Sequence, residues 1–134
     1  MQLLDLITQS LRSIGVVDVT ESPSAEAGAN ALINLNNLMA TLAEDGIDLG
    51  YTATSTITDD FALSAGHVGT IEALLAMKEA SDRGIAPSAT LSGMADSGYR
   101  RLLLQAQKLA MQPASLSGVS HGLGSLPPYN ILTG

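Results

Sequence analysis

Hydrophobic residues recur every three or four positions at the start of the chain, which is the spacing of an amphipathic helix. The apolar positions are Leu3, Leu4, Ile7, Leu11 and Ile14. Gly15 follows them as a candidate left-handed C-cap. The pattern predicts a first helix of about four turns, and because a helix so short is marginal alone in water, we expect it to dock on other elements.

A second helix is predicted within the segment ESPSAEAGANALINLNNLMATLAEDG. Ser22 is the expected N-cap, and Pro23 suits the first helical position. Glu26 lies where the helix dipole favours an anion, and Gly46 is expected to end the helix. The apolar stripe of this helix consists of Leu32, Leu35, Leu38, Met39 and Leu42.

Three asparagines lie on a face next to that stripe, namely Asn30, Asn34 and Asn37. Asparagine is a poor helix former, so its repetition on one face needs a physical reason. The pattern indicates either hydrogen bonds to another segment or a solvated face.

The residues after the second helix alternate with a period of two, which is typical of a strand. Four threonines, Thr52, Thr54, Thr56 and Thr58, alternate with Tyr51, Ala53, Ser55 and Ile57. We expect an extended strand or irregular hairpin within about residues 47–63. An isolated two-stranded hairpin is marginal in water, so this ribbon is expected either to stand alone or to pair with another subunit.

Two further helices follow. Ser64 is the expected N-cap of the third, which carries Val68, Ile71, Leu74 and Leu75 and ends near Arg83. Gly84 followed by Ile85 is typical of a Schellman ending, and Pro87 lies just beyond. The fourth helix is expected to begin near Ser88 and to stop at Pro113, with Leu91, Met94, Ala95, Gly98, Leu102 and Leu103 on its apolar face.

Two glycines, Gly93 and Gly98, lie inside the predicted fourth helix. Each glycine costs a helix about 1 kcal/mol relative to alanine. We therefore expect the backbone at these positions to approach a neighbouring helix closely.

The composition changes after Pro113, because residues 114–134 contain no charged side chain and many glycines and serines. The chain ends in PPYNILTG, which cannot be helical yet carries apolar residues. We predict a helical domain over residues 1–112 and a flexible C-terminal arm over residues 113–134. We expect another protein chain to cover this arm in the functional assembly. The expected fold is mainly α: a compact bundle of about four helices, a short β-like ribbon between helices two and three, and the extended arm.

The net charge of −7 is unevenly distributed. Residues 1–60 hold nine acids and one base, whereas residues 61–134 hold four acids and five bases. The chain lacks the basic stripe that ordinary nucleic-acid binding requires. Two interpretations remain: a solubility effect, or an acidic half that meets the basic fourth helix of the next copy. The candidate inter-subunit charge contacts are Arg100, Arg101 and Lys108 against Glu44 and Asp45.

No catalytic, cofactor-binding or metal-binding residues are predicted. The chain has no cysteine, and His67 and His121 lack metal-ligand spacing. A hydrolase would need an acid pair in a cleft, for which Glu44 and Glu72 would be the carboxylates to mutate. No apolar run approaches the length of a membrane span, so we expect no membrane partner.

The order of the segments carries more information than any one of them. LLDLITQSLRSIGV is followed by ESPSAEAGANALINLNNLM, then EDGIDLG, TDDFAL, RGIAPSATL and the terminal PPYNILTG. This series resembles the head-to-tail adaptor proteins of tailed bacteriophages, which include the tail accessory factors of short-tailed phages and the ring connectors of long-tailed ones. Members often have a longer β-rich insertion between helices two and three than residues 47–63 provide.

The resemblance implies a non-catalytic virion structural protein in the neck, made in the host cytoplasm. Such proteins form a ring, commonly of twelve copies, that binds below the portal, extends the DNA channel without specific DNA binding, helps retain the genome and offers a platform to a downstream tail protein. The resemblance implies that the portal-binding residues are Pro127, Pro128, Tyr129, Asn130, Ile131 and Leu132.

The alternative hypothesis is a small dimeric helical module with a regulatory or binding function. It explains the amphipathic helices equally well, but it gives no reason for an apolar tail.

Overall fold

The computed structural model describes residues 1–111, which form four α-helices. Their bounds are α1 Leu3–Ser13, α2 Ala25–Glu44, α3 Ala65–Arg83 and α4 Ala89–Ala110. The prediction of a mainly helical fold is confirmed. The predicted arm, residues 113–134, lies outside the described residues and includes Pro113 and His121.

Serines begin the three longer helices. The hydroxyl of Ser24 accepts a hydrogen bond from the backbone N–H of Ala27 at 3.1 Å, and Ser88 caps α4 through Leu91 at 3.1 Å. The predicted cap Ser22 is therefore wrong by two residues, because Ser24 adopts the extended N-cap conformation and Pro23 precedes it. Ser64 is the N-cap of α3, as predicted, although its side chain makes no capping bond to the backbone.

Left-handed glycines end the first three helices. Gly15, Gly46 and Gly84 have φ angles of 79°, 88° and 68°. In each case the next residue donates its N–H to the carbonyl five positions earlier: Val16 to Leu11 at 3.0 Å, Ile47 to Leu42 at 2.8 Å, and Ile85 to Ala80 at 2.8 Å. This is the Schellman pattern, and the sequence predicted a glycine stop at all three positions.

Helix α3 lies at the centre of the bundle and packs against α1, α2 and α4. The main core joins apolar side chains of all four helices, including Leu6, Leu11, Leu35, Leu42, Ile71, Leu75 and Leu102. A smaller cluster between α3 and α4 contains Ala73, Ala76, Leu91 and Ala95. Three of these four residues are alanines, and such small side chains let the two helix backbones lie close together.

The two helix-interior glycines differ. Gly98 is buried against Thr70 of α3, so the predicted close approach is confirmed there. Gly93 is exposed, and a β-carbon at that position would meet nothing within 4 Å, so the same prediction is wrong for Gly93.

The connecting segment, residues 47–63, forms no strand, so the predicted ribbon is reduced to extended and turn conformations. Within residues 1–111 the one β-type pairing is an antiparallel bridge between Gln2 and Asp60. The threonine side chains account for the difference, because Thr54 Oγ1 donates to Asp59 at 2.5 Å and accepts from the backbone N–H of Thr56 at 3.1 Å. Such local bonds compete with a strand ladder.

Candidate interaction surfaces

The outward face of α4 carries bases and exposed apolar side chains together. Arg101, Leu104, Lys108 and Met111 follow one another at spacings of three, four and three residues, so they share one side of the helix end. Leu104 is 59% exposed and Met111 75% exposed. We call these four residues the outer α4 stripe.

The predicted basic contacts are all exposed on α4, but they are not equivalent. Arg100 forms an ion pair with Asp96 at 3.2 Å, one helical turn earlier. Arg101 and Lys108 make no ion pair with any residue of the described part of the chain. These two cations are therefore available to an external partner.

The predicted acidic contacts lie at the C-terminal end of α2. Asp45 accepts a hydrogen bond from the hydroxyl of Tyr99 on α4 at 2.7 Å. This bond to Asp45 raises the pKa of Tyr99, because ionisation would remove the donated proton and oppose two negative charges. Glu44 is exposed and unpaired among residues 1–111. The structure therefore places Asp45 in contact with α4 of the same chain.

Asn34 joins α2 to α3 through the buried carboxylate of Glu79. Its amide donates to Glu79 and, at 2.8 Å, to Asp82. Glu79 is 1% exposed, and Arg83 forms an ion pair with it at 3.4 Å. The hydrogen-bonding interpretation is thus confirmed for Asn34, whereas Asn30 and Asn37 are exposed.

Asn36 holds the connecting segment against α2, a role that sequence reasoning missed. Its amide donates to the carbonyl of Thr54 at 2.9 Å, and its Oδ1 accepts from the Tyr51 hydroxyl at 2.5 Å. The available signal was its place in the run of asparagines, but the helical face nearest the segment could not be chosen from the sequence.

A largely apolar groove lies between α1, α2 and the connecting segment. It has a volume of about 570 Å³, and its lining includes Leu4, Gly28, Leu32, Ile33, Asn36 and Ile57. Ile33 is 57% exposed in it. We call this feature the α2 groove. It was not predicted, because Leu4 was assigned to the core stripe of α1 and Ile33 lies outside the predicted stripe of α2.

Three further features bear on possible chemistry. Glu72 lines a smaller pocket of about 300 Å³ between α1, α3 and α4, and burial raises the pKa of its carboxyl. That pocket has no second carboxylate in its described lining. His67 lies between the Ser64 hydroxyl at 3.0 Å and the Gln105 side-chain oxygen at 3.1 Å. Residues 1–111 contain no group of three or more acidic, histidine or cysteine side chains able to hold a metal ion.

Among the helices described, none combines the length and hydropathy required to cross a bilayer. Comparison with curated protein sequences gives no match. A family model described as P22 tail accessory factor matches residues 4–126, which is nearly the whole chain. The chain therefore belongs to the P22 tail accessory factor family, which indicates a structural role in the phage tail or neck.

Proposed function

We propose that the protein is a head-to-tail adaptor whose copies form a ring below the portal. The ring extends the DNA channel, helps retain the packaged genome and provides the attachment platform for a downstream tail protein. The observation that carries this proposal is the family match over residues 4–126. The proposed copy number is twelve, and the proposed location is the virion neck, after synthesis in the host cytoplasm.

The charge of the chain supports passage of DNA without binding. A net charge of −7 repels phosphate, and specific DNA binding uses concentrated cationic surface. Arg101 and Lys108 are too few to form such a surface, and apolar side chains interrupt them. We propose a structural and not a catalytic role for the wall that the ring presents to DNA.

We propose that the portal-binding segment is the C-terminal arm, through Pro127, Pro128, Tyr129, Asn130, Ile131 and Leu132. The structure of residues 1–111 supports this assignment because the C-terminal end of α4 is exposed to solvent. Leu109 is 66% exposed there and Met111 is 75% exposed. Pro127 lies sixteen residues beyond Met111, so a fully extended chain between them spans at most about 53–58 Å. An extended segment binds by backbone pairing, with pockets for alternate side chains.

We further propose that charge pairs set the register between neighbouring copies. Arg101 and Lys108 supply the positive charges of this contact. Arg100 can take part only if it gives up its ion pair with Asp96 of the same chain. On the acidic side Glu44 is available, whereas Asp45 already accepts from Tyr99. Complementary charge favours correct pairing more than affinity.

The deciding experiment is portal binding by the full chain and by a chain that lacks residues 125–134. We expect the truncated protein to remain helical by circular dichroism but to lose binding to the portal ring of the same phage. A sharper test makes Tyr129→Ser and Ile131→Ser together and uses Ser115→Ala with Ser117→Ala as the control, because both serines precede the proposed binding residues. We expect the Tyr129 and Ile131 double variant to bind portal more weakly than the control.

The proposal fails if the truncated chain binds portal as tightly as the full chain, or if no ring is seen by electron microscopy on portal. A stable dimer in native mass spectrometry that never forms larger assemblies beside portal would favour the dimeric binding module instead.

A further inference from the structure

We infer that the α2 groove of one copy receives the outer α4 stripe of the next copy. The inference rests on the proposed ring, for which it identifies the two surfaces that meet. It also assigns a role to this largely apolar groove and to exposed apolar side chains of α4 that the fold itself leaves uncovered.

The two surfaces match in apolar character. Leu104 and Met111 are 59% and 75% exposed on a helix whose other side is packed on α3. The groove offers Leu32 at its base and Ile33 at its rim, and Ile57 packs against Gly28, where a β-carbon would lie 3.0 Å from Ile57 Cδ1. An amphipathic helix that lays its apolar positions into such a groove is a recurring mode of recognition.

The two surfaces also match in charge. Arg101 precedes Leu104 by three residues and Lys108 follows it by four, so a base flanks the leucine on each side. Beside the groove, Asp5 follows the lining residue Leu4, and Glu26 lies in the first turn of α2. Neither acid forms an ion pair within residues 1–111. Opposite charges at the rim of an apolar contact favour one register over others.

The positions of the two surfaces fit a ring. Residues of α1, α2 and the connecting segment line the groove, together with Pro23 and Ser24 at the start of α2, and none comes from α3 or α4. Helix α4 packs mainly against α3, and no residue of the outer α4 stripe lines the groove. Contact between two different surfaces of one chain is heterologous, so it repeats from copy to copy and can close.

In this arrangement Arg101 and Lys108 face Asp5 and Glu26, which replace Glu44 and Asp45 as the acidic side of the charge pairing proposed above. Asp45 is bound to Tyr99 of the same chain, which places this end of α2 beside the α4 of its own copy. A neighbour's α4 would have to displace or share that contact, whereas the groove is open.

Cross-linking of cysteine variants tests the inference directly, because the full chain contains no cysteine. Ile33→Cys and Leu104→Cys are made separately, mixed, assembled on the portal ring of the same phage and treated with a short bis-maleimide. We expect a cross-linked pair in the mixture and a ladder of larger products when one chain carries both changes. Val19→Cys is the matched control, since Val19 is 82% exposed but outside both surfaces.

A charge exchange adds an independent readout. Arg101→Glu with Lys108→Glu should lower the yield of the Ile33–Leu104 product by about tenfold, and Asp5→Lys with Glu26→Lys on the other chain should restore part of it. The inference is overturned if rings form without this cross-link, or if Val19→Cys cross-links to Leu104→Cys in the same yield as Ile33→Cys does. Either result leaves the proposed function standing. An Ile33–Ile33 product as the main species would overturn it in favour of a symmetric contact. Absence of both rings and cross-links on portal would overturn the proposed function as well.

Discussion

Gly98 of α4 packs directly against the side chain of Thr70 on α3. A β-carbon placed on Gly98 would lie 2.7 Å from Thr70 Cγ2 and 2.9 Å from Thr70 Cβ. Both distances are far below ordinary carbon–carbon contact, which is about 3.5–4.0 Å. The missing side chain at residue 98 therefore sets how closely α3 and α4 pack.

Replacement of Gly98 by alanine is expected to destabilise the fold. The gain in helix propensity is about 1 kcal/mol, but overpacking of a filled contact costs about 1–3 kcal/mol and here involves the Thr70 Cβ itself. Gly93→Ala is the matched control, because a β-carbon at residue 93 would meet no other atom within 4 Å. Its free energy of unfolding should rise by up to about 1 kcal/mol. Urea unfolding midpoints of the two variants should therefore move in opposite directions.

Removal of the Asn34 amide is expected to destabilise the protein through Glu79. In Asn34→Ala the buried carboxylate keeps Arg83 at 3.4 Å but loses its amide donor. A buried charged group left short of a partner costs about 1–3 kcal/mol or more. Asn37→Ala, on the exposed side of the same helix, should change the free energy of unfolding by less than about 0.5 kcal/mol. Equal losses in both variants would show that Asn34 does not act through Glu79.

The Asn36 contacts predict a local effect on the connecting segment. Asn36→Ala removes the bonds to Tyr51 and Thr54, which hold residues 51–54 on α2. We expect faster proteolysis within residues 50–60 and a loss of about 1–2 kcal/mol in global stability. Limited proteolysis followed by mass spectrometry locates the cuts. Asn37→Ala serves again as control, and an unchanged cleavage pattern in Asn36→Ala would contradict the prediction.

Glu72 predicts a dependence of stability on pH. Burial raises the pKa of its carboxyl above the ordinary value of 4.5, so the folded state favours the protonated form. Its favourable contribution is complete below pH 4.5 and is lost as the pH rises through the higher folded value. Glu72→Gln, which keeps the shape without the charge, should therefore be more stable than the parent at pH 7 and nearly equal to it at about pH 3.5. Urea unfolding at the two pH values measures this, and a difference that grows at low pH would contradict it.

Local sequence features predicted the helices because their decisive bonds close within a few residues. The glycine stops at Gly15, Gly46 and Gly84 follow from the left-handed backbone that glycine tolerates, and the Ser88 cap from a side-chain bond three residues away. The N-cap of α2 was predicted at Ser22 and lies at Ser24, which is an error of two residues between two nearby serines. The order of these segments also carried the family resemblance that the family match confirms.

Tertiary structure decided what depends on residues far apart in the chain. Alternating threonines predicted a strand, but a ladder needs a partner edge, and Thr54 instead bonds to Asp59 and Asn36. Gly93 and Gly98 have the same local signal, and only the position of α3 distinguishes them. The α2 groove likewise exists because α1, α2 and the connecting segment meet around it. Short-range bonds thus determined where the helices begin and end, while long-range packing determined which of their faces are buried and which remain exposed.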